Sequence, residues 1–264
     1  RRGVAMTVIN MCCRAGMKTL APNSVDSIVT DPPYGLSKQP DMREVLKHWL
    51  NGDEYSPTCG GFMGKKWDSF VPGPLVWEQA FRVLKPGGYL VAFAGSRTVD
   101  LMAMSLRLGG FEVVDMLHWL YGSGFPKSLD ISKATGDPKW AGFGTALKPM
   151  HEPIILCRKP LEGRYKDNIE KYGVGCLNID ACRVGSSGGT RDTPSGEGVK
   201  TNKVYGVLGT ATTKAVEGLG RWPGNVLHDG CLPDPMDRYF YSAKASKSDR
   251  EAGLELFNLH TAGE

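Results

Sequence analysis

The four residues Asp31-Pro32-Pro33-Tyr34 set a carboxylate, two rigid pyrrolidine rings and a phenol directly after the apolar run Ser27 to Thr30. A run of that kind reads as a strand, which puts the tetrapeptide at the carboxyl end of a sheet, where open α/β folds bind their ligands. There the Asp31 carboxylate and the Pro32 carbonyl offer two hydrogen-bond acceptors to a single amine. Such a pair would draw a conjugated nitrogen toward tetrahedral geometry and localise its lone pair. Pro32 and Pro33 fix the backbone that aims the carbonyl, and Tyr34 supplies a face on which a planar ring can stack. The alternative is a proline-fixed turn that closes a strand and does no chemistry.

Other chemistry-bearing residues are weaker pointers. His151-Glu152 invites a metal reading, but no second histidine follows at the helical spacing of a metalloprotease, so the pair is read as a hydrogen-bonded strand start and no metal is expected. Seven cysteines form no CxxC pair and leave an odd count, which indicates neither a zinc ribbon nor a disulfide framework. Ala92-Phe93-Ala94-Gly95-Ser96-Arg97 looks like a glycine-rich cofactor loop. Its place after a helix stop, with Arg97 where a third small residue is needed, assigns it to the floor of the pocket instead.

The elements that must position these groups alternate in the α/β manner, with a mainly parallel sheet expected. Thr7 to Asn10 reads as a short strand, Ala15 to Leu20 as a turn or two of helix, and Ser27 to Thr30 as the strand before Asp31. Pro74 to Leu84 is an amphipathic helix closed by Lys85-Pro86-Gly87-Gly88. Tyr89 to Ala94 follows as a buried strand, Thr98 to Leu108 as a helix ended by Gly109-Gly110, Phe111 to Tyr121 as a long strand and Ile154 to Cys157 as another. Beyond Pro160 the pattern dissolves. Residues 1–159 are therefore assigned to a catalytic part and 160–240 to an appended region with a flexible loop at 186–220, while 241–264 forms a polar connector with a helix from Ser246 to Leu256. Trp222 is assigned to the core.

Composition narrows the function classes. The 264 residues are 41% hydrophobic and 23% charged, which excludes a disordered tail or a fibre. No apolar run reaches the length of a membrane span and the N-terminus lacks a secretory core, so the chain reads as cytoplasmic. From Arg158 to Arg221 there are 11 Lys and Arg against 7 Asp and Glu, which accounts for the whole net charge of +4. A loop-rich basic segment beside a neutral body suits a polyanion partner, and solvated surface lysines give the same count.

With these residues in place, the sequence resembles the amino-methyltransferases that methylate exocyclic amines of DNA bases, and within them the adenine-N6 enzymes of bacteria and their phages. The likeness runs through Asn23 to Thr30 into Asp31-Pro32-Pro33-Tyr34-Gly35, then Leu84-Lys85-Pro86-Gly87-Gly88, Tyr121-Gly122-Ser123-Gly124-Phe125-Pro126-Lys127-Ser128 and Lys148-Pro149-Met150-His151-Glu152-Pro153-Ile154. It continues in Leu177-Asn178-Ile179-Asp180-Ala181-Cys182-Arg183, Arg221-Trp222-Pro223-Gly224-Asn225-Val226 and Ala243-Lys244-Ala245-Ser246-Lys247. The resemblance implies a class I, Rossmann-like S-adenosylmethionine-dependent sheet with a loop-rich target-recognition region. Its expected reaction is methyl transfer from S-adenosylmethionine to adenine N6 in double-stranded DNA, with the target base flipped out. Asp31, Pro32, Pro33 and Tyr34 are then catalytic, and Tyr34, Phe125 and Pro126 line the base pocket. Asp31, Pro32, Cys12 and Cys13 face the cofactor, and Lys127, Lys159, Arg164, Lys166, Lys171 and Arg183 meet DNA phosphates. The same likeness leaves room for a homodimer and a partner restriction endonuclease in a bacterial or phage-infected cell.

Two departures qualify these expectations. Nothing after Ala243 matches the Phe-x-Gly-x-Gly cofactor loop of this subgroup, and the chain opens at Arg1 without a methionine, so a part of a longer protein is expected, with the Asp31 strand left at a sheet edge. Asn10-Met11-Cys12-Cys13 stands where the family has Gly-Asp-Cys, which puts Cys12 in place of a carboxylate. Alternatives are cytosine N4 as the acceptor, for which Ser more often replaces Asp31, and a catalytically silent DNA-binding fragment of a truncated or split enzyme.

Overall fold

The computed structural model describes residues 7–36, 40–57, 66–126, 128–184, 220, 222–233 and 240–242. In chain order they form α1 (Cys13–Thr19), β1 (Val25–Thr30), α2 (Met42–Leu50), α3 (Pro74–Val83), β2 (Leu84–Phe93) and α4 (Val99–Leu108). These are followed by β3 (Glu112–Leu120), α5 (Ile131–Thr135), β4 (His151–Arg158), α6 (Tyr165–Tyr172), β5 (Val226–His228) and β6 (Tyr241–Ser242). The loop expected at 186–220, apart from Gly220, and the helix expected from Ser246 lie outside the described residues.

The strands make one sheet in the order β1-β2-β4-β3-β5-β6. β1 and β2 are parallel, with Thr30 opposite Ala92, and β3, β5 and β6 are parallel to one another. β4 runs antiparallel to both of its neighbours, β2 and β3. The α/β architecture expected from the sequence is present, but the sheet is mixed rather than mainly parallel. The cause lies in the connection from β3 to β4, which leaves and re-enters the sheet at one end and so needs no crossover. Pro153 to Cys157 are all buried, and a continuous buried run carries no sign of strand direction.

The core is packed where the sheet meets α3 and α4. Leu84, Leu90, Ala92, Met102, Leu106, Ile155 and Cys157 are buried there with Trp77. α3 ends at Val83, one residue before β2 opens, because Pro86 and the positive φ of Gly87 (79°) cannot continue a helix. α2, absent from the sequence reading, is capped by Asp41, whose side chain accepts from the Arg43 N–H. It buries Val45 and Trp49, one turn apart.

Two expected placements fail. Thr7 to Asn10 form no strand and are exposed. β1 is the sheet edge among the described residues, its Val29 is 72% exposed, and Thr7 to Asn10 do not pair with its open side. Trp222 is 66% exposed, not in the core, and the Arg183 guanidinium sits 5.3 Å from its ring. β5, drawn from the region expected to be an appendage, and β6, from the start of the expected connector, extend the same sheet.

Candidate active site

The Asp31-Pro32-Pro33-Tyr34-Gly35 turn leaves the carboxyl end of β1 and is held by side chains far away in the sequence. Asp68, only 7% exposed, accepts from the Tyr34 N–H at 2.9 Å and from the Gly35 N–H at 3.4 Å. On the other side the Thr98 hydroxyl, just before α4, donates to the Tyr34 carbonyl at 2.6 Å. The backbone of Tyr34 is therefore clamped at both of its polar atoms. Gly35 is required by geometry, since its φ is +65° and a Cβ there would lie 2.9 Å from the Val71 nitrogen. Pro32 is buried, Asp31 exposed and Tyr34 half-buried. Gly95, in the segment assigned to the pocket floor, lies against Tyr34, with the space of a Cβ reaching 3.4 Å from the Tyr34 Cβ.

The electrostatics gather on the Tyr34 hydroxyl. It donates to Glu152 Oε2, near the start of β4, at 3.4 Å. Burial pushes the Tyr34 phenol well above its ordinary range, and its hydrogen bond to Asp31 and the charges of Glu152 and Asp31 add to the rise. Glu152 is raised by burial and then by the Asp31 charge, while the Tyr34 hydrogen bond pulls it back. Tyr121, just past β3, is raised by burial and by Glu152. Two carboxyls and two phenols from three segments thus share one end of the sheet. No ion pair to Asp31 or Glu152 occurs among the described residues. Such a cluster has acceptors for an amine, a face for a ring and an affinity for positive charge.

The remaining expected site residues divide. Phe125, 75% exposed, and Pro126 lie in the excursion from Tyr121 to Met150, which leaves and rejoins the sheet at the same end as Asp31. Lys127 lies outside the described residues. Cys12 occupies the N-cap position of α1 without a side-chain cap hydrogen bond, the nearby N–H groups of Ala15 and Arg14 lower its thiol from the usual range, and both it and Cys13 are exposed. Asp31, Cys12 and Cys13 supply one carboxylate and two thiols. This set fits the positively charged, methyl-bearing end of a sulfonium but not the ribose and amino-acid ends, which need further polar groups.

The four basic residues nearest Pro160 stand at the wrong end of the sheet for the role expected of them. β4 is antiparallel to β2, so Lys159 and α6 follow the end opposite Asp31, about 25 Å away along eight residues of strand. The Lys159 ammonium donates to Asn23 Oδ1 at 2.7 Å and to the carbonyls of Phe81 and Leu84 at 2.8 Å each, using all three of its protons. It is a structural cation at the end of α3, and the phosphate contact expected of it is corrected on that ground. Arg164 makes two bonds to Asp167, at 2.8 and 3.0 Å. Lys166 lies 3.7 Å from Glu170 and Lys171 pairs with Glu162. Arg183 is bound to Asp180 at 2.7 Å beside Trp222.

Asp68, Thr98 and Glu152 are site residues that the sequence reading missed. Asp68 and Thr98 carry no local signal, being 34 and 64 residues from Tyr34. For Glu152 there was one, a carboxylate opening an otherwise apolar strand.

An N6/N4 DNA methylase family model matches residues 25–243. The type II methyltransferase M.HindIII of Haemophilus influenzae is 28% identical over 194 residues, 61% of each chain. M.HpaI of Haemophilus parainfluenzae is 29% identical over 144 residues, 54% of this chain and 35% of that one. The chain thus spans less than two thirds of either relative. Among solved structures, a DNA modification methylase of Thermus thermophilus, complexed with S-adenosyl-L-methionine, aligns at 19% identity over 60% of this chain and 56% of that one, with a TM-score of 0.34. The cytosine-N4-specific PvuII DNA methyltransferase aligns at 14% identity over 60% and 59%, with a TM-score of 0.33. With the family match running from β1 through the turn of Tyr34 and the strand of Glu152 to Ala243, the chain belongs to the N6/N4 DNA methylase family.

Proposed function

We propose that the chain carries the base-accepting part of a class I, S-adenosylmethionine-dependent DNA methyltransferase that modifies adenine N6 in a specific duplex sequence. The observation that carries this reading is the clamped Tyr34 turn, which leaves Asp31 exposed beside a buried Pro32 at the carboxyl end of β1. The target amine donates one hydrogen to the Asp31 carboxylate and one to the Pro32 carbonyl, with Pro33 holding the backbone and the extruded base stacked on Tyr34. S-adenosylmethionine supplies the electrophilic methyl group. Asp31, Pro32, Cys12 and Cys13 face its sulfonium side.

Phe125 and Pro126 border the base, and Lys133, Lys139 and Lys148 of the same excursion face the phosphates, because that excursion shares the end of the sheet with Asp31; Lys127 is assigned the same role from its place in the sequence alone. Arg183 and Trp222 add a cation and an exposed ring for a nucleotide. Adenine is favoured over cytosine by the carboxylate at position 31. M.HindIII and M.HpaI are type II methyltransferases, and a partner restriction endonuclease is extended to this chain on that basis.

The test is to incubate the chain with S-adenosylmethionine labelled in its methyl group and unmethylated duplex DNA, digest the DNA, and separate the nucleosides. Labelled N6-methyl-2′-deoxyadenosine is the expected product. Labelled N4-methylcytosine would reassign the acceptor. Neither product, with cofactor and DNA both bound, would overturn the enzyme reading in favour of a silent DNA-binding piece.

A further inference from the structure

We propose that the Tyr34 hydroxyl and Glu152 extend Asp31 into a carboxylate-phenol-carboxylate relay that removes the proton released by the acceptor amine. The inference rests on the acceptor reading above and gives the Tyr34 oxygen a task separate from that of its ring.

The chemistry demands an outlet. The nitrogen lone pair forms the new N–C bond while the pair of the old C–S bond stays with sulfur, which leaves the nitrogen cationic with one proton to lose. That proton passes to the Asp31 carboxylate. Asp31 hands a proton to the Tyr34 oxygen as the Tyr34 O–H proton passes to Glu152. One proton has left the nitrogen, one has arrived on Glu152, and Tyr34 is neutral again.

The turn and β4 bring the three groups to one end of the sheet. Asp31 and Tyr34 stand three residues apart in one clamped turn, and the Tyr34 hydroxyl donates to Glu152 Oε2 at 3.4 Å. That bond is longer than the usual O–H···O distance, as catalytic hydrogen bonds are before substrate closes the site. A base stacked on Tyr34 would cover Asp31 and leave the half-buried Glu152 as its outlet. The groups facing Glu152 are Asp31 and Tyr34 from the segment after β1 and Tyr121 from the segment after β3. On β4 itself the neighbouring His151 pairs its ring with His118 of β3 at 5.7 Å. No cation among the described residues competes for the carboxyl, and the Asp31 charge makes Glu152 a better resting place for the proton.

The experiment has two arms. In the first, carbon-13 carboxyl NMR follows Glu152 through a pH titration of the chain without DNA or cofactor, its resonance assigned by its loss in Glu152→Gln. The midpoint should fall in Asp31→Asn, which removes a charge, and rise in Tyr34→Phe, which removes a hydrogen bond to the ionised form. Both replacements keep side-chain shape, so the turn is retained. A midpoint indifferent to both overturns the relay, whatever the methylation result.

In the second arm, Glu152→Gln and Tyr34→Phe should each lower kcat about a hundredfold with KM unchanged, and the acid limb of the pH profile should move. The double variant should be no slower than either single one. An unaltered kcat and pH profile in Glu152→Gln overturns the relay. If the NMR midpoints move as expected but the unsubstituted chain transfers no methyl group, the acceptor reading falls and the relay falls with it.

Discussion

The two ends of the sheet contain similar residue types in opposite states. At the end where β2 begins and β4 finishes, Asn168 and Lys159 have firm partners. Asn168, with no exposed surface, donates to the carbonyls of Pro86 at 3.0 Å and Val174 at 2.9 Å and accepts from the Glu162 N–H at 2.9 Å. Lys159 spends its three protons on three internal oxygens. At the other end Asp31 and Glu152 lie near each other with no ion-pair partner among the described residues, linked by a phenol whose bond to Glu152 is long. A satisfied network holds structure together. Carboxyls left without a cation cost stability, and they persist where chemistry needs their charge. The basic count of the sequence pointed at the first end; the proposed chemistry belongs to the second.

The sharpest way to break this contrast is Asp31→Ala. If the carboxyl end is the reactive one, transfer of labelled methyl to DNA should fall about a thousandfold, the loss typical of removing one essential electrostatic partner. Asp31 is exposed, so the thermal midpoint should hardly change. Turnover retained at roughly a tenth of the original or more would remove Asp31 from the mechanism. The converse is Asn168→Ala at the satisfied end. That change strands two carbonyls and an N–H in a buried site and should cost about 3 kcal/mol in urea unfolding, while the folded protein keeps its DNA affinity. A loss below about 0.5 kcal/mol would show that the network is ornamental.

How much of this contrast was legible in the sequence depended on distance along the chain. The helix stop before Lys85-Pro86-Gly87-Gly88 and the turn at Asp31 to Gly35 could be read because proline and glycine act locally. The clamp by Asp68 and Thr98 could not be read, since it joins residues that only the fold brings together. Glu152 lay in a stretch already singled out, but its partner Tyr34 is 118 residues away. Strand direction was hidden because β4 is buried on both faces. The charge count from Arg158 to Arg221 was correct as arithmetic, but a count carries no information about which end of a sheet the charges occupy.

Lys159→Met separates the two readings of that charge. As the structural cation at the end of α3, with burial holding its ammonium below the ordinary lysine range, it should cost about 2 kcal/mol when its three acceptors lose their donor. The dependence of DNA affinity on salt should stay as it was. If Lys159 met a phosphate, stability would be nearly unchanged and the slope of log K against log salt would shrink by about 0.9.

The smallest effect is a pH dependence of stability at the reactive end. Glu152 binds its proton more tightly folded than unfolded. It therefore contributes most below the ordinary glutamate value of about 4.3, and that contribution is lost as pH rises through the higher folded midpoint. Glu152→Gln removes the titration. Relative to the unsubstituted chain, the variant should gain thermal stability from about pH 4 to about pH 8, and the gain should level off once Glu152 is fully ionised. Asp31→Asn should shrink the same gain by relieving the repulsion that raises Glu152. A difference in melting temperature that stays flat across this range would mean that Glu152 rests in the folded chain as it does in water, and the reactive end would lose the strain that distinguishes it from the satisfied one.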